Sequence, residues 1–455
     1  MAFADKVADT ALGGLPYDQA PHKYTTLNDL VDGTKEDVRD IYAAIYGDQG
    51  LSGLVEVIGA KKAAGSSDQV DWFEEGHLGR TVTIGAGNTV TAIDGASNND
   101  ELDALRPFDV IMRNDQVLLV DTVVADEITA TDMADGSDEA AITEGVWAVI
   151  GNAYPQGTDQ PSKPFQPRLT RQTNPYTIVK ESFHVTGSQA SNVGYVNVGG
   201  QNMWYLKGEL DARRKFMNMR EAMLVFGKKN VKANNTFGGQ NSAGTVTGSE
   251  GYVQAVSSRG TVSDSLADHN GSGTAPTIAQ FGAAFDAIIV AADKQGLPAE
   301  NALYVNRQLS IDFDNFVATS GVGGTGPAMN SFGAFNNSAD MAIQMGFKSF
   351  TRGGYTFHKH DWKLLNDEKY GAGTTVNGAI IPLSIIVDAK TGDRHHSLEM
   401  NYKSAGNYSR ELEHWVEGGN VLGYNTGGED LAKFHYRSEC NLCVRGANQH
   451  VLLVD

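Results

Sequence analysis

Between Asp71 and Ala153 the chain alternates apolar and polar positions in five short stretches: Thr81–Ile84, Asp109–Met112, Val117–Val124, Glu127–Thr131 and Gly145–Ile150. β-Branched residues dominate these stretches and Gly, Asn and Asp clusters bound them, which predicts the strands of a small, acidic, all-β unit. Pro155–Pro175 holds five prolines and leads into Tyr176–Thr186. There Ile178, Lys180, Ser182, His184 and Thr186 fall on one side of an extended strand, so a long β-arm is expected. The period then changes. Gln201–Lys232 has no proline and places Met203, Leu206, Leu210, Met217 and Leu224 at spacings of three, four or seven. This predicts a helix about 48 Å long with a narrow apolar stripe, Arg213, Arg214, Arg220 and Glu221 lying between the anchors.

A second helix is expected over Thr277–Gln295, where Ile278, Phe281, Phe285, Ile288 and Ala292 mark one face. Thr277 is its candidate cap and Gly296-Leu297-Pro298 its stop. Upstream, the first 25 or so residues read as an extended arm, because Pro16 and Pro21 break any early helix, and one short helix fits Lys35–Tyr46. Asn234–Thr274, rich in Gly, Asn, Ser and Thr, reads as a long surface loop anchored by Tyr252–Val256. Strands are expected at Ala302–Val305, Phe350, Tyr355–His358, Ala379–Val387, Ser397–Tyr402, Glu411–Val416, Val421–Tyr424 and Lys433–Tyr436. The fold class is α+β.

With 455 residues the chain is long enough for two to four structural units and a core of ordinary stability. Its net charge of −19 disfavours any role whose affinity comes from neutralising phosphates. Two cysteines form no disulfide framework. Met1–Ala20 carries Asp5, Asp9 and Asp18 and has no basic segment followed by an apolar one, and Ala287–Ala292 and Ala379–Val387 are too short to cross a bilayer. A soluble protein made in a cytoplasm is expected.

Candidate chemistry is sparse. Gly321–Gly326 matches the dinucleotide-binding spacing by letter, but that site needs a strand before it, a helix after it and an acid further on, and Pro327 follows directly. No phosphate-loop lysine motif occurs. Cys440 and Cys443 form a lone C-x-x-C; on a strand they point to opposite faces, so both are expected to be small buried hydrophobes. His358, His360, His395 and His396 lack partners at metal-ligand spacing. Asp132–Glu139 fails as a calcium loop, since Gly136 in the sixth position would make Thr131 and Met133 the first ligands.

Three segments carry a resemblance. Asp71-Trp72-Phe73-Glu74-Glu75 followed by Thr81-Val82-Thr83 is similar to the start of an extended E-loop, and Asn174–Gln189 to the segment that returns from it. Met203–Lys229 is similar to a spine helix. In these segments and in the order of its elements the chain resembles the major capsid proteins of tailed bacteriophages, which have the Hong Kong 97 fold. The resemblance implies an N-terminal arm and short helix over 1–54 and an E-loop over 55–190 carrying a β-rich insertion at about 81–155. A peripheral domain with spine helix and long loop would occupy 191–275, an axial domain 276–390, and return strands 391–455.

It also implies a non-enzymatic subunit, without cofactor or metal. Such a subunit self-assembles into hexamers and pentamers of an icosahedral shell around double-stranded DNA, in the host bacterial cytoplasm and away from membranes. Its partners would be itself, a portal, and a separate scaffold or decoration protein. The assembly and packing candidates are Trp72, Glu74 and Glu75 at the E-loop base, and Trp204, Arg213, Arg214 and Arg220 on the spine. Two other readings stand beside this one. The many short strands and Gly/Asn/Thr loops fit a β-rich tail or surface adhesin component, and Gly321–Gly326 fits a nucleotide-using enzyme.

Overall fold

The computed structural model describes residues 60–63, 67–75, 79–93, 105–124, 127–139, 141–161, 169–188, 197–198, 201–202, 204–232, 246–266, 278–319, 349–383, 385–387, 392, 394–405, 408–421, 424–425 and 428–454. The expected N-terminal arm, the Lys35–Tyr46 helix and Gly321–Gly326 lie outside them. The described residues form two compact units. One holds those of 179–220 and 412–437, the other those of 52–178, 221–411 and 438–455.

The second unit begins with β1 (Ala60–Ala63) and β2 (Gln69–Glu75). Six strands follow: β3 (Arg80–Gly85), β4 (Thr89–Ile93), β5 (Asp109–Arg113), β6 (Gln116–Val124), β7 (Glu127–Asp132) and β8 (Gly145–Asn152). They close into a barrel in the order β3-β4-β7-β6-β5-β8, which removes every sheet edge. Alternation dictates its filling: Val82, Ile84, Val90, Ile111, Leu118, Val120, Ile128 and Trp147 point inward and are buried. The Trp147 indole N–H donates to the Thr143 carbonyl at 2.9 Å, which satisfies its one polar atom. All five predicted strands are present. β4 is an addition, formed because Gly87 and Asn88 adopt positive φ and reverse the chain after β3. After the barrel, β9 (Leu169–Pro175) pairs with β2 in antiparallel register from Gln69↔Pro175 to Glu75↔Leu169. The barrel is therefore inserted between the two strands of an arm.

Next come β10 (Thr177–Thr186), the hairpin β11 (Asn197–Val198) and β12 (Gln201–Asn202), and helix α1 (Trp204–Phe226). The expected helix over Gln201–Lys232 is thus shorter at both ends. Gly227 stops it, for its N–H bonds the Met223 carbonyl and a Cβ there would meet that oxygen at 2.3 Å. The buried stripe also differs from the expected one. Phe216 and Leu224 are buried with Ala212 and Met219 partly so, whereas Leu210 and Met217 are exposed.

Beyond β13 (Asn230–Lys232) and β14 (Val246–Gly248) the predicted long loop contains helix α2 (Tyr252–Arg259) and β15 (Thr261–Ser263). Tyr252, Ala255 and Val256 are buried at helical spacing, and their burial overrides the Gly- and Ser-rich surroundings. Helix α3 (Ile278–Asp293), β16 (Glu300–Val305), helix α4 (Arg307–Thr319), β17 (Ser349–Arg352), β18 (Tyr355–Asp361) and β19 (Val376–Pro382) follow. With the C-terminal strand β28 (Val451–Val454) they make a mixed sheet in the order β15-β28-β19-β16-β18-β17. α3 and α4 pack on it through Phe281, Phe285 and Phe313, whose rings meet edge to face at 4.9 and 5.1 Å.

The chain ends with the hairpin β20 (Ile385–Val387) and β21 (Arg394–His396), then β22 (Leu398–Tyr402), β23 (Ser404–Ala405), β24 (Tyr408–Ser409), β25 (Glu413–Val421), β26 (Tyr424–Asn425), β27 (Leu431–Val444) and β28 (Val451–Val454). The predicted strand Ala379–Val387 is split between β19 and β20, and Val421–Tyr424 is the reversal between β25 and β26. In the first unit β27 pairs with β25 from Glu413↔Arg437 to Gly418↔Ala432. There Val179, Val185, Phe216, Phe434 and Tyr436 form the core. In the second unit β22 pairs with β27 from Leu398↔Val444 to Tyr402↔Cys440 and with β1. Among the described residues no helix is long and apolar enough to cross a membrane.

Candidate functional site

The root of the barrel-bearing arm concentrates buried polar structure. Along β2 the pleat sends Trp72 and Glu74 to one face and Asp71 and Phe73 to the other. Trp72 is 7% exposed and Phe73 is 67% exposed, so one face of the arm is docked and the other is free. The Trp72 indole N–H donates to Glu74 Oε1 at 3.0 Å, and the Arg259 guanidinium lies over the indole, 5.7 Å from its centre. Arg259 also pairs with Glu250 at 3.0 Å and reaches Glu74 at 3.9 Å. The Gly446 amide donates to Glu74 Oε1 at 3.2 Å. Burial pushes the Glu250 carboxyl above the usual carboxylate range, and the Arg259 and Lys229 charges oppose that rise.

On the other strand Asn174 is fully buried and uses both ends of its amide. Nδ2 donates to the Glu250 and Leu442 carbonyls at 3.0 and 2.7 Å, while Oδ1 accepts from the Glu250 amide at 2.8 Å and the Ser249 hydroxyl at 3.2 Å. Asn441 Nδ2 returns a bond to the Asn174 carbonyl at 2.8 Å, and Lys229 Nζ donates to the Thr173 carbonyl and hydroxyl, each at 2.6 Å. On the free face Arg171 pairs with Asp71 at 2.5 Å and holds that carboxyl below its usual range. The root is thus a cluster of charges and amides whose partners come from β2, β9, Lys229, the Ser249–Arg259 segment and the Asn441–Gly446 segment. It fixes the direction in which the arm leaves the unit.

The structure brings Trp72 and Glu74 together here. Glu75 stands opposite Leu169 at the outer end of the arm ladder, and its side chain, like that of Trp204, lies outside the described residues. Arg213 and Arg214 are exposed on α1, while Arg220 and the adjacent Glu221 are buried. Arg259, Glu250, Asn174 and Lys229 were not singled out from the sequence. They stand far apart along the chain, and only the packing of the β2–β9 arm against Lys229, Glu250 and Arg259 brings them together.

The other candidates separate. Cys440 and Cys443 are both buried; Asn401 donates to Cys443 Sγ at 3.0 Å, and burial pushes that thiol up to about 12. His360 stacks on Tyr304 with ring centres 4.9 Å apart, and His395 lies 4.0 Å from Glu399. Among the described residues no three His, Cys, Asp or Glu side chains are grouped so as to hold a metal ion.

No family model matches the chain, and no curated protein matches it. Among solved structures it is similar to the capsid of the cyanophage P-SCSP1u, at 8% identity over 92% of each chain with a TM-score of 0.43. It is similar to a structure from Gordonia phage Cozz at 9% identity, covering 94% of this chain and 93% of that one, with a TM-score of 0.42. It is likewise similar to the capsid of a native GTA particle, at 9% identity over 95% of this chain and 99% of that one, with a TM-score of 0.40.

Proposed function

We propose that this chain is the major capsid protein of a tailed bacteriophage, a non-enzymatic subunit that self-assembles into hexamers and pentamers of an icosahedral shell around double-stranded DNA. The observation that carries the reading is the arm. Its strand β2 contains the Trp72 segment and its strand β9 the Asn174 segment; the barrel sits between them, and the chain continues through β10 into α1. That is the order in which the sequence resemblance expects E-loop, return segment and spine. The chemistry is in keeping with it. A buried polar root fixes an arm whose outward side carries the exposed Phe73, so the arm presents contact surface beyond its own unit.

In this reading the arm and the exposed arginines of α1 meet neighbouring subunits. A net charge of −19 keeps the wall from adsorbing the DNA it encloses. A portal and a separate scaffold or decoration protein complete the particle, which assembles in the host cytoplasm. Negative-stain electron microscopy of the purified chain, with light scattering at two concentrations, tests this. Closed polyhedra or rings of five and six subunits are expected. A chain that stays monomeric or dimeric, with crowding agents and with a candidate scaffold protein, overturns the reading.

A further inference from the structure

The barrel is apolar on part of its outside, where an antiparallel sheet facing water is ordinarily polar. Directly paired residues share a face, so the registers fix one outward row: Thr81 on β3, Ala148 on β8, Met112 on β5 and Val117 on β6, continued by Met133 just after β7, whose amide donates to the Val117 carbonyl at 3.1 Å. Val146 and Ile150 flank Ala148 along β8. Val146 is 57% exposed, Ile150 52%, Met133 49% and Met112 37%, and the row has no charged member. Its border is acidic. Residues 81–162 hold fifteen carboxylates and two cations; Arg106 pairs with Asp109 at 3.5 Å, and Arg113 donates to the Thr143 and Glu144 carbonyls. β6 runs antiparallel to β5 and β7, and β8 to β5, which brings Asp115, the Asp135–Asp138 turn and Glu144 to one end of the barrel, beside the row. Asp115, Asp135, Asp138 and Glu144 are exposed there, and among the described residues none is in an ion pair.

The complement of an uncharged row with an acidic border is an apolar stripe that carries cations, and α1 has one. Leu210, Arg213, Arg214 and Met217 follow the spacing of a single helix face and are all exposed. Among the described residues neither arginine is in an ion pair, whereas the neighbouring Lys215 is held by Glu181 at 3.0 Å. The helix's own exposed-side acids, Glu209 and Asp211, stand about 100° round from Leu210 on either side, and Glu209 accepts the Tyr436 hydroxyl at 3.4 Å. We infer that the outer row of the barrel receives the Leu210–Met217 face of α1 from a second copy of this chain. The dimensions match: Leu210 and Met217 lie about 10.5 Å apart along the helix, and Met112 and Met133, two strands apart, about 9.6 Å. Both apolar anchors then seat at once with α1 crossing the strands, and the two arginines between them face the unpaired carboxylates at the barrel's end. The fifteen carboxylates oppose a second barrel or a nucleic acid in this place, so the competing occupant is a separate basic protein. The inference rests on the self-assembly reading and names one contact within it.

The test uses the full chain in three forms: Asp135→Lys with Glu144→Lys, Arg213→Glu with Arg214→Glu, and all four together. Each double variant is expected to raise the concentration needed for particle formation by at least about tenfold, and the quadruple variant to restore it to within about threefold of the parent. Cysteine pairing locates the contact. Particles assembled from Met217→Cys chains mixed with Met112→Cys chains, or with Met133→Cys chains, are expected to form disulfide-linked pairs on oxidation in at least one mixture, the direction of α1 across the strands deciding which, and the single variants alone to form none. Cys440 and Cys443 are buried and do not compete. Double variants that assemble as the parent does overturn the inference alone. So does a quadruple variant no better than its parts at an unchanged Tm, or the absence of linked pairs from both mixtures. If Asp135→Lys with Glu144→Lys leaves assembly intact and instead abolishes retention of a synthetic helical peptide of leucine and arginine, the occupant is a separate basic protein and the inference falls. A parent chain that never assembles removes both the inference and the reading beneath it.

Discussion

Truncation of Asn174 tests whether the arm root is held as described. In Asn174→Ala the Glu250 amide N–H loses its 2.8 Å acceptor and the Leu442 carbonyl its 2.7 Å donor, both at a position with no exposure to water. Each buried group deprived of a partner costs about 1–3 kcal/mol, and the Ser249 hydroxyl can turn to its second acceptor, so the expected loss is about 4 kcal/mol. Asn174→Asp keeps the two acceptances and loses both donations. It also sets a carboxylate beside Glu250, whose own carboxyl burial already disfavours in its charged form. Asn174→Asp is therefore expected to cost at least as much at pH 7 and to recover part of the loss near pH 4. Urea denaturation of the unassembled chain measures the first quantity. Amide hydrogen exchange over Gln69–Glu75 localises it, because a loosened root exposes the β2 ladder before the barrel. A loss below about 1 kcal/mol, with exchange in β2 unchanged, would refute the idea that these bonds anchor the arm.

His450 is fully buried and burial holds its imidazole down at about 3, against 6.5 ordinarily. The unfolded chain therefore binds the proton first: the stability is whole above pH 6.5 and drains away as the pH falls toward 3, by about 2 kcal/mol at pH 5. Urea midpoints at pH 7 and pH 5 measure this, and His450→Phe is expected to flatten the slope. Trp147→Ala empties the middle of the barrel and is expected to cost about 3–5 kcal/mol, read as loss of the barrel's near-ultraviolet circular dichroism with α3 and α4 retained. Arg259→Met removes the cation that both Trp72 and Glu250 contact, and is expected to cost about 3 kcal/mol at pH 7. That deficit should shrink in denaturation series toward pH 4, because the abandoned Glu250 carboxyl then takes up a proton.

Where local pattern and tertiary placement agree, the sequence is readable. The barrel strands, β10, α3 and β16 announce themselves because alternation or a four-residue repeat coincides with burial. The misses have particular causes. β4 is a five-residue Thr-Val-Thr-Ala-Ile stretch with good alternation, concealed by the glycines before it. α2 has its three buried residues inside a segment of turn-forming composition. α4 had a signal in the Asn306 side chain, which accepts the Leu309 amide at 2.8 Å as an N-cap does, and in the spacing of Leu309 and Phe313. The apolar spacing alone carries the long helix past Gly227, although a glycine at a helix end is a stop signal, and the same spacing favours Leu and Met for the stripe where Phe216 faces the core. At the arm root Trp72 and Glu74 were legible as a segment. Arg259 and Glu250 look like ordinary surface charges until the fold sets the guanidinium over the indole with Glu250 paired to it, and Asn174 reads as a turn former until its strand is paired.

The pairing of β2 with β9 has a consequence for what the chain tolerates. Roughly 90 residues lie between Glu75 and Leu169, yet the seven-residue ladder and the root beneath it contain no barrel residue. Within the barrel, β3 pairs directly with β8, so the chain enters and leaves by adjacent strands. The insertion therefore hangs from the arm by two neighbouring threads. Replacing it with a linker of about ten residues would shorten the loop ninefold and relieve about 2 kcal/mol of closure entropy. The barrel is thus an exchangeable cassette. A foreign domain whose termini lie one strand spacing apart fits the same socket, and a particle built from such chains would carry that domain once per subunit.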